Sequence, residues 1–147
     1  MSDCIFCDII KKAQPASIVH EDEHTLAFMD IFPNRPGHVL IVPKLHQQYV
    51  AQLDAATRAH LFETANRVAN AVRQSSLKPD AVHFLVNDGV AAHQTVPHVH
   101  MHVLPRYKGD HLKFLLSIFH KPVKILFGLT RRNELDRLAQ EYQALMK

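Results

Sequence analysis

Three histidines alternate with apolar residues in one short run of this sequence, from Pro97 to Pro105. Successive side chains of a β-strand point to opposite faces, so the run predicts a strand that presents His98, His100 and His102 on one face. Imidazole titrates near neutral pH and can act as base, acid, nucleophile or metal ligand. A lone histidine would fit the wet face of a strand, but three in register predict chemistry, since β-branched residues would pack better there.

The outer two histidines of this run are too far apart to serve one phosphate group. At about 3.4 Å per residue, His98 and His102 lie about 13 Å apart along a strand. His98 must therefore assist from the side or have a separate task. Cys4 and Cys7 offer one as a C-x-x-C pair, which by itself is compatible with metal ligands, a redox pair or two small buried thiols.

Short apolar segments separated by turns predict the strands that must carry these residues. Glu21 to His24 predicts a hairpin turn, and Pro33, Asn34, Pro36 and Gly37 exclude regular structure from the next connection. The predicted strands are Ile18–His20, Thr25–Ile31, His38–Val42, Val82–Asn87 and Val96–Leu104.

After Leu53 the apolar residues change to helical spacing. Asp54 is the expected N-cap of a long helix that ends near Ser75 and Ser76, and its apolar stripe is Leu61, Ala65, Val68, Ala69 and Val72. A terminal amphipathic helix from Arg132 to Met146 is predicted from Leu135, Leu138, Ala139, Tyr142 and Leu145. Strands with short connections and one long inserted helix predict an α+β domain with a mainly antiparallel sheet.

The composition is that of a single globular domain. The 147 residues are 47% hydrophobic and 21% charged, and no apolar stretch approaches the roughly 20 residues that cross a bilayer. The first residues lack the features of a signal peptide, so we expect a cytoplasmic protein whose two cysteines need not form a disulfide. A net charge of +3 is too small to indicate nucleic-acid binding without a reader motif.

Basic residues are concentrated in one region, Arg106 to Arg132, where the only acid is Asp110. Such a segment could attract phosphate or an acidic surface, although a solvated face is the more usual explanation. Within it, Leu112 to Phe127 is apolar and basic with Pro122 in the middle. Its residue pattern fits neither the alternation of a strand nor the spacing of a helix, so its structure is not predicted.

Further residue blocks accompany the histidine run in a fixed order. They are Cys4-Ile5-Phe6-Cys7, Leu26-Ala27-Phe28-Met29-Asp30-Ile31, Gly37-His38-Val39-Leu40-Ile41-Val42-Pro43-Lys44-Leu45-His46, Asn87-Asp88-Gly89 and Gln94-Thr95-Val96. Together with the His-φ-His-φ-His-φ-φ pattern, the chain from Cys4 to Arg106 resembles the zinc-bearing bacterial branch of the histidine triad nucleotide hydrolases and transferases. The resemblance implies the histidine triad fold, with a five-stranded, mainly antiparallel sheet in a core of residues 1–106 and a helical C-terminal extension, 107–147, packed on the same domain.

The resemblance also implies a reaction at the α-phosphate of purine nucleotide conjugates, which include phosphoramidates, acyl-nucleotides and dinucleoside polyphosphates. His100 matches the nucleophile that becomes nucleotidylated, and a neutral imidazole can split one displacement into two easier ones. His102 matches the histidine that stabilises phosphate charge or protonates the leaving group. His38 matches the upstream histidine beside the triad, and His98 completes the set.

Substrate contacts are implied in the same way. Asp30 matches the acceptor of the ribose hydroxyls, and the apolar slot for the base matches Ile5, Phe6, Ile9, Phe28 and Ile31, which by spacing alone would be core residues. The neutral polar residues near the phosphate and leaving group match Asn87, Gln94 and Thr95. His93 stands where the family commonly has glycine, so it either narrows the pocket or adds a phosphate contact.

Finally, the resemblance implies a structural zinc site made of Cys4, Cys7, His46 and His98, and Cys2His2 is a closed tetrahedral ligand set. Antiparallel pairing of the two strands would bring His46 near His98, with the metal at one end and the reaction at the other. A homodimer with sheets joined across a two-fold axis is also expected. Two alternatives stay open: a nucleotide-binding, zinc-stabilised interaction module with little turnover, and a transferase that uses an acceptor other than water.

Overall fold

One antiparallel sheet organises the chain. The computed structural model describes residues 4–117 and 131–147, and in these ranges the sheet has five strands in the order β1-β2-β3-β5-β4, every neighbouring pair antiparallel. The strands are β1 (Ile18–Glu21), β2 (Thr25–Met29), β3 (Val39–Pro43), β4 (Ala81–Val86) and β5 (Met101–Arg106). The predicted α+β class with an antiparallel five-stranded sheet is confirmed.

The helices are α1 (Ile5–Ile10), α2 (Ala55–Gln74) and α3 (Arg132–Leu145), and residues 111–117 are also helical. The α2 helix begins as predicted, because the Asp54 carboxylate accepts the backbone N–H of Thr57 at 2.7 Å. Every residue of its predicted apolar stripe is buried. In the described ranges, no helix combines the length and apolar character that crossing a membrane requires.

The two faces of the sheet are covered by different elements. Val39, Ile41 and Val103 belong to the core beneath α2 and α3. The opposite face carries a smaller cluster in which Cys4 and Phe6 of the N-terminal segment pack on Leu26, Phe28, Leu40 and Val42. His102 is paired directly with Leu40, so it lies on this second face, because directly opposed residues point the same way.

The predicted boundary of the histidine strand is wrong. Strand β5 begins at Met101, not at Val96. His98 and His100 therefore lie in the segment that leads into the strand, and only His102 is part of the ladder.

The ladder ends there because the backbone groups beyond it are used otherwise. Pro97 has no N–H to contribute. The carbonyl of Pro43, at the end of β3, is 2.9 Å from Nε2 of the His98 ring, and the N–H of Val99 donates to Gln47 at 2.8 Å. These bonds replace further strand pairing and hold the approach to β5 in place.

The C-terminal helix α3 packs into the larger core through Leu135, Leu138, Ala139 and Tyr142. Leu145 is 36% exposed, so the prediction that it belongs to the buried stripe is wrong. It lies at the last position of the helix. Of the predicted segment Leu112 to Phe127, the part from residue 118 onward lies outside the described residues.

Candidate active site and metal centre

A row of aromatic rings crosses the second face of the sheet. Successive ring centroids in the row lie 4.9–5.9 Å apart, and the order is His46, His98, Phe6, His100, His102, His38. Phe6 separates His98 from His100. The three histidines of the run therefore do not share one environment, because His98 faces the cysteines and His102 faces His38.

The backbone fixes the orientation of the His100 ring. Its Nδ1 lies 2.7 Å from the carbonyl oxygen of His98, and a carbonyl can only accept, so Nδ1 carries the proton. In the neutral ring the lone pair is then on Nε2. His100 is buried, and the direction of its Nε2 is set by the chain itself.

His38 connects His102 to a carboxylate. Nε2 of His38 is 2.9 Å from Nδ1 of His102, and Nδ1 of His38 is 3.2 Å from Oδ2 of Asp30. The backbone N–H of Asn34 is directed at the same Nδ1 from 3.3 Å, but this bond is long, and a protonated Nδ1 is bound more strongly by the charged carboxylate. With the proton on Nδ1, the other nitrogen of His38 accepts the Nδ1–H of His102.

The residues expected to hold the base fall into two groups. Phe6 and Phe28 are buried and meet edge to face at 5.6 Å, while Ile5 and Ile31 are 45% and 39% exposed. Ile9 is partly buried against the same cluster. The two phenylalanines are thus core residues as well as candidate contacts, and the exposed isoleucines are the ones open to a ligand.

The loop between β4 and β5 contains the residues expected near the phosphate. Both polar atoms of the Gln94 side chain bind backbone groups. Oε1 accepts the N–H of Gly89 and Nε2 donates to the carbonyl of Gln48, each at 2.8 Å. Nδ2 of Asn87 is 3.3 Å from the carbonyl oxygen of His93. Gln94 therefore holds the loop in shape, and of the three predicted contacts Thr95 has the exposed side chain.

His93 has an exposed side chain and a left-handed backbone, with φ of +63°. Residues with a Cβ rarely adopt this conformation. The imidazole therefore sits on the loop at a cost in backbone strain that glycine would avoid.

Four residues from three parts of the chain form a cluster that can hold a metal ion: Cys4, Cys7, His46 and His98, whose ligand atoms all lie within 4.8 Å of one another. The S···N separations are 3.4, 3.2 and 3.7 Å, and the two Nδ1 atoms are 3.2 Å apart. A tetrahedral zinc ion would space sulfur and nitrogen ligands by about 3.6 Å and two nitrogens by about 3.3 Å. The four separations are close to those that a zinc ion requires, so the donor set fits zinc.

The protonation state of this cluster also suits a metal. Burial lowers the pKa of His98, so the ring is neutral at neutral pH, and its Nε2–H donates to Pro43, which leaves Nδ1 as the ligand atom. Burial, with the Cys4 thiol as a neighbour, raises the pKa of Cys7 to about 11. A metal that binds here must displace thiol protons.

An ion-pair cluster beside the site could not be located from the sequence. Asp110, the lone acid of the basic segment, is buried and accepts from the Arg106 guanidinium at 2.8–3.1 Å, with Nε of Arg35 at 3.6 Å. The hydrogen bonds from Arg106 lower the pKa of Asp110 to about 2. Since Arg35 belongs to the loop that ends at His38, this pair joins that loop to the end of β5.

Comparison with known proteins gives a consistent result. The model of the HIT domain family matches residues 11–109. "Protein hit" from Bacillus subtilis (strain 168) is 41% identical over 109 residues, which are 74% of this chain and 74% of that protein. A Zn-bound histidine triad family protein from Mycobacterium smegmatis superposes with a TM-score of 0.80 at 33% identity, covering 98% of this chain and 93% of that one. A HIT family hydrolase from Legionella pneumophila Philadelphia 1 gives a TM-score of 0.60 at 33% identity, covering 69% of this chain and 91% of that one.

Proposed function

Because the chain belongs to the HIT domain family, we propose that it is a nucleotide hydrolase that cleaves purine nucleotide conjugates at the α-phosphate through a covalent nucleotidyl-histidine on His100. The observation that carries the proposal is the 2.7 Å contact between Nδ1 of His100 and the His98 carbonyl. It holds the neutral ring in the form in which Nε2 can attack. The Legionella relative is described as a hydrolase, in line with this proposal.

In the first step, Nε2 of His100 attacks the α-phosphorus. A P–N bond forms, and the bond from phosphorus to the leaving group breaks. His102 in its protonated form donates Nε2–H to the leaving group, and its Nδ1–H is held by Nε2 of His38. The Asp30 carboxylate behind His38 supports the positive charge that His102 carries before the transfer.

The second step reverses these roles with water. His102, now neutral at Nε2, takes a proton from a water molecule that attacks the same phosphorus. The P–N bond to His100 breaks, a mononucleotide leaves, and both histidines return to their starting forms. At the end of the cycle, every residue is back in the protonation state in which it began.

Substrate recognition in this proposal uses residues around the two histidines. Asp30 accepts from the ribose, and since its Oδ1 also accepts the N–H of Phe32 and its Oδ2 contacts His38, one carboxylate serves both binding and catalysis. Ile5 and Ile31 border the base, with Phe6, Phe28 and Ile9 beneath them. Asn87, Thr95 and His93 lie toward the leaving group, and Gln94 shapes that loop.

The metal centre and the assembly complete the proposal. Zinc held by the Cys4, Cys7, His46 and His98 cluster has a structural task, because it fixes the residue whose carbonyl orients His100. We also propose a homodimer that joins through β4, one of the two outer strands of the sheet. In support, Leu85 of β4 is exposed, and so is Phe62, which stacks on the partly buried Phe84 of the same strand.

The test is to incubate the protein with adenosine phosphoramidate, an acyl-adenylate and a diadenosine polyphosphate, and to measure mononucleotide release and protein mass. We expect a mass increase of one nucleotidyl group on His100 and its loss in His100→Ala. His111→Gln, which alters an exposed histidine in the helical segment of residues 111–117, is the matched control and should retain full turnover. Tight mononucleotide binding without consumption of any substrate would instead indicate an interaction module, and transfer to an added acceptor would indicate a transferase.

A further inference from the structure

The residue before His38 is enclosed on all sides. Gly37 has a φ of +85°, and a Cβ at this position would overlap the side chain of Leu77 and the hydroxyl of Tyr142. Both contacts come from residues far along the chain, Leu77 after α2 and Tyr142 in α3. Glycine is thus required here by space as well as by backbone conformation.

Tyr142 makes a hydrogen bond to this glycine from inside the core. Its side chain is fully buried, and its hydroxyl donates to the Gly37 carbonyl at 3.2 Å. Burial raises the pKa of the phenol above its usual range, so the hydroxyl keeps its proton and remains a donor. The two partners are 105 positions apart in the sequence, which makes this a contact of the folded state alone.

Both polar groups of the peptide between Gly37 and His38 are therefore held. Tyr142 binds the carbonyl side, and the N–H of His38 donates to the carbonyl of Arg35 at 3.2 Å. A peptide unit is planar, so holding both groups fixes the plane of this peptide and the position of the His38 Cα. On the other side of the residue, the His38 carbonyl accepts the N–H of Asp30 at 3.0 Å. The His38 ring then makes the 2.9 Å contact to His102.

The α3 helix that carries Tyr142 is itself tied to the rest of the chain. Glu141 accepts from the backbone N–H and the hydroxyl of Ser76, and Gln143 donates to the Ile18 carbonyl at 2.6 Å. These bonds flank Tyr142 on both sides. The helix lies outside residues 11–109, the part that the HIT domain model matches.

We propose that Tyr142 is a positioning residue of the active site: from the C-terminal helix, its hydroxyl fixes the Gly37–His38 peptide and so the contact between His38 and His102. The role rests on the proposed hydrolase function, because it acts through the histidine pair that protonates the leaving group. It gives α3 a catalytic task in addition to its packing in the core.

The test variant is Tyr142→Phe, which removes one hydroxyl and keeps the ring that packs in the core. We expect kcat for adenosine phosphoramidate to fall about tenfold, since small misplacements of catalytic groups have effects of this order. KM should stay within about twofold, because Tyr142 does not touch the proposed substrate site. The limb of the pH–rate profile that reports the histidine pair should shift.

Two controls on the same helix separate positioning from stability. Leu138→Ala removes a buried side chain and should lower the thermal midpoint at least as much as Tyr142→Phe while leaving kcat unchanged. Gln140→Ala changes an exposed side chain on the same helix and should also leave kcat unchanged. If Tyr142→Phe lowers only the thermal midpoint, as Leu138→Ala does, the positioning role is wrong.

A second readout does not depend on turnover. The imidazole ¹⁵N signals of His38 and His102 report their shared hydrogen bond, and we expect both to change in Tyr142→Phe and in neither control. Unchanged signals would overturn the positioning role. If the wild-type protein consumes no substrate while the signals change as expected, the proposed function fails and the positioning of His38 stands.

Discussion

The carbonyl of His98 accepts the Nδ1–H of His100 at 2.7 Å, while the imidazole of His98 lies in the metal-ligand cluster with Cys4, Cys7 and His46. One residue therefore belongs to both centres, through its backbone to the nucleophile and through its side chain to the thiols. Phe6 packs against both rings, at 5.9 Å from His98 and 5.2 Å from His100. Changes at the cluster should reach the nucleophile through this shared residue.

Removal of the metal should slow nucleotidylation as well as destabilise the fold. We expect chelation, or the variant His46→Ala, to lower the thermal midpoint and to reduce the labelling rate of His100 about 10- to 100-fold, the range found when groups that orient a site are lost. His46 is chosen because it contacts His98 and does not touch His100. Metal content, thermal unfolding and mass-spectrometric labelling would be measured on the same samples. If metal-free protein that is still folded labels His100 at the wild-type rate, this coupling is wrong.

Asp30→Asn should reduce kcat by about one to two orders of magnitude, since the carboxylate that keeps the proton on Nδ1 of His38 is lost. A 2′-deoxyribose substrate separates this task from ribose binding. If Asp30 orients His38, the loss of kcat will be similar for ribose and deoxyribose substrates. A loss seen only with the ribose substrate would restrict Asp30 to substrate binding.

Asp110→Asn should destabilise the protein in a pH-dependent way. The pKa of Asp110 is lowered from 3.8 to about 2 by Arg106, so the ionised form stabilises the fold above pH 4, and this stabilisation is lost as the pH falls toward 2. The shift corresponds to about 2 kcal/mol at neutral pH. Urea unfolding at pH 7 and at pH 2.5 should show a difference from wild type that narrows at the lower pH.

The control for Asp110→Asn is Glu134→Gln, because Glu134 is exposed and its ion pair with Arg131, at 4.0 Å, is exposed as well. Glu134→Gln should leave the free energy of unfolding almost unchanged at both pH values. An equal loss of stability at pH 7 and pH 2.5 for Asp110→Asn would show that packing, not charge, is responsible.

His93→Gly should stabilise the fold and change substrate preference. Relief of the left-handed φ of +63° is expected to add about 1 kcal/mol to the free energy of unfolding. Lys78 has a φ of +45° outside the active-site loop, so Lys78→Gly is a matched control for the backbone effect. Both variants should gain stability, but only His93→Gly should change the ratio of kcat/KM between phosphoramidate and dinucleoside polyphosphate substrates. A ratio unchanged in both variants would remove His93 from the leaving-group site.

Local signals predicted several elements correctly. The long helix was determined by the Asp54 cap and an apolar stripe of period 3.6, and both depend on residues within a few turns of one another. The hairpin after β1 closes because the Asp22 carboxylate accepts from the N–H groups of His24 and Thr25, as short polar turn residues do. The start of β5 was missed, since it depends on where the Pro43 carbonyl finds its partner.

The sequence by itself determined the α+β class, because side-chain periodicity is a property of the local backbone. It also supplied the ligand types of the metal cluster. Only the tertiary structure decided that Asp30 contacts the His38 ring, that the His98 carbonyl accepts from the His100 ring and that Tyr142 donates to the Gly37 carbonyl. Most of these contacts join residues that are far apart in the sequence. A hydrogen bond requires its two atoms to lie within about 3 Å of each other, and the spacing of residues along the chain cannot specify such a distance.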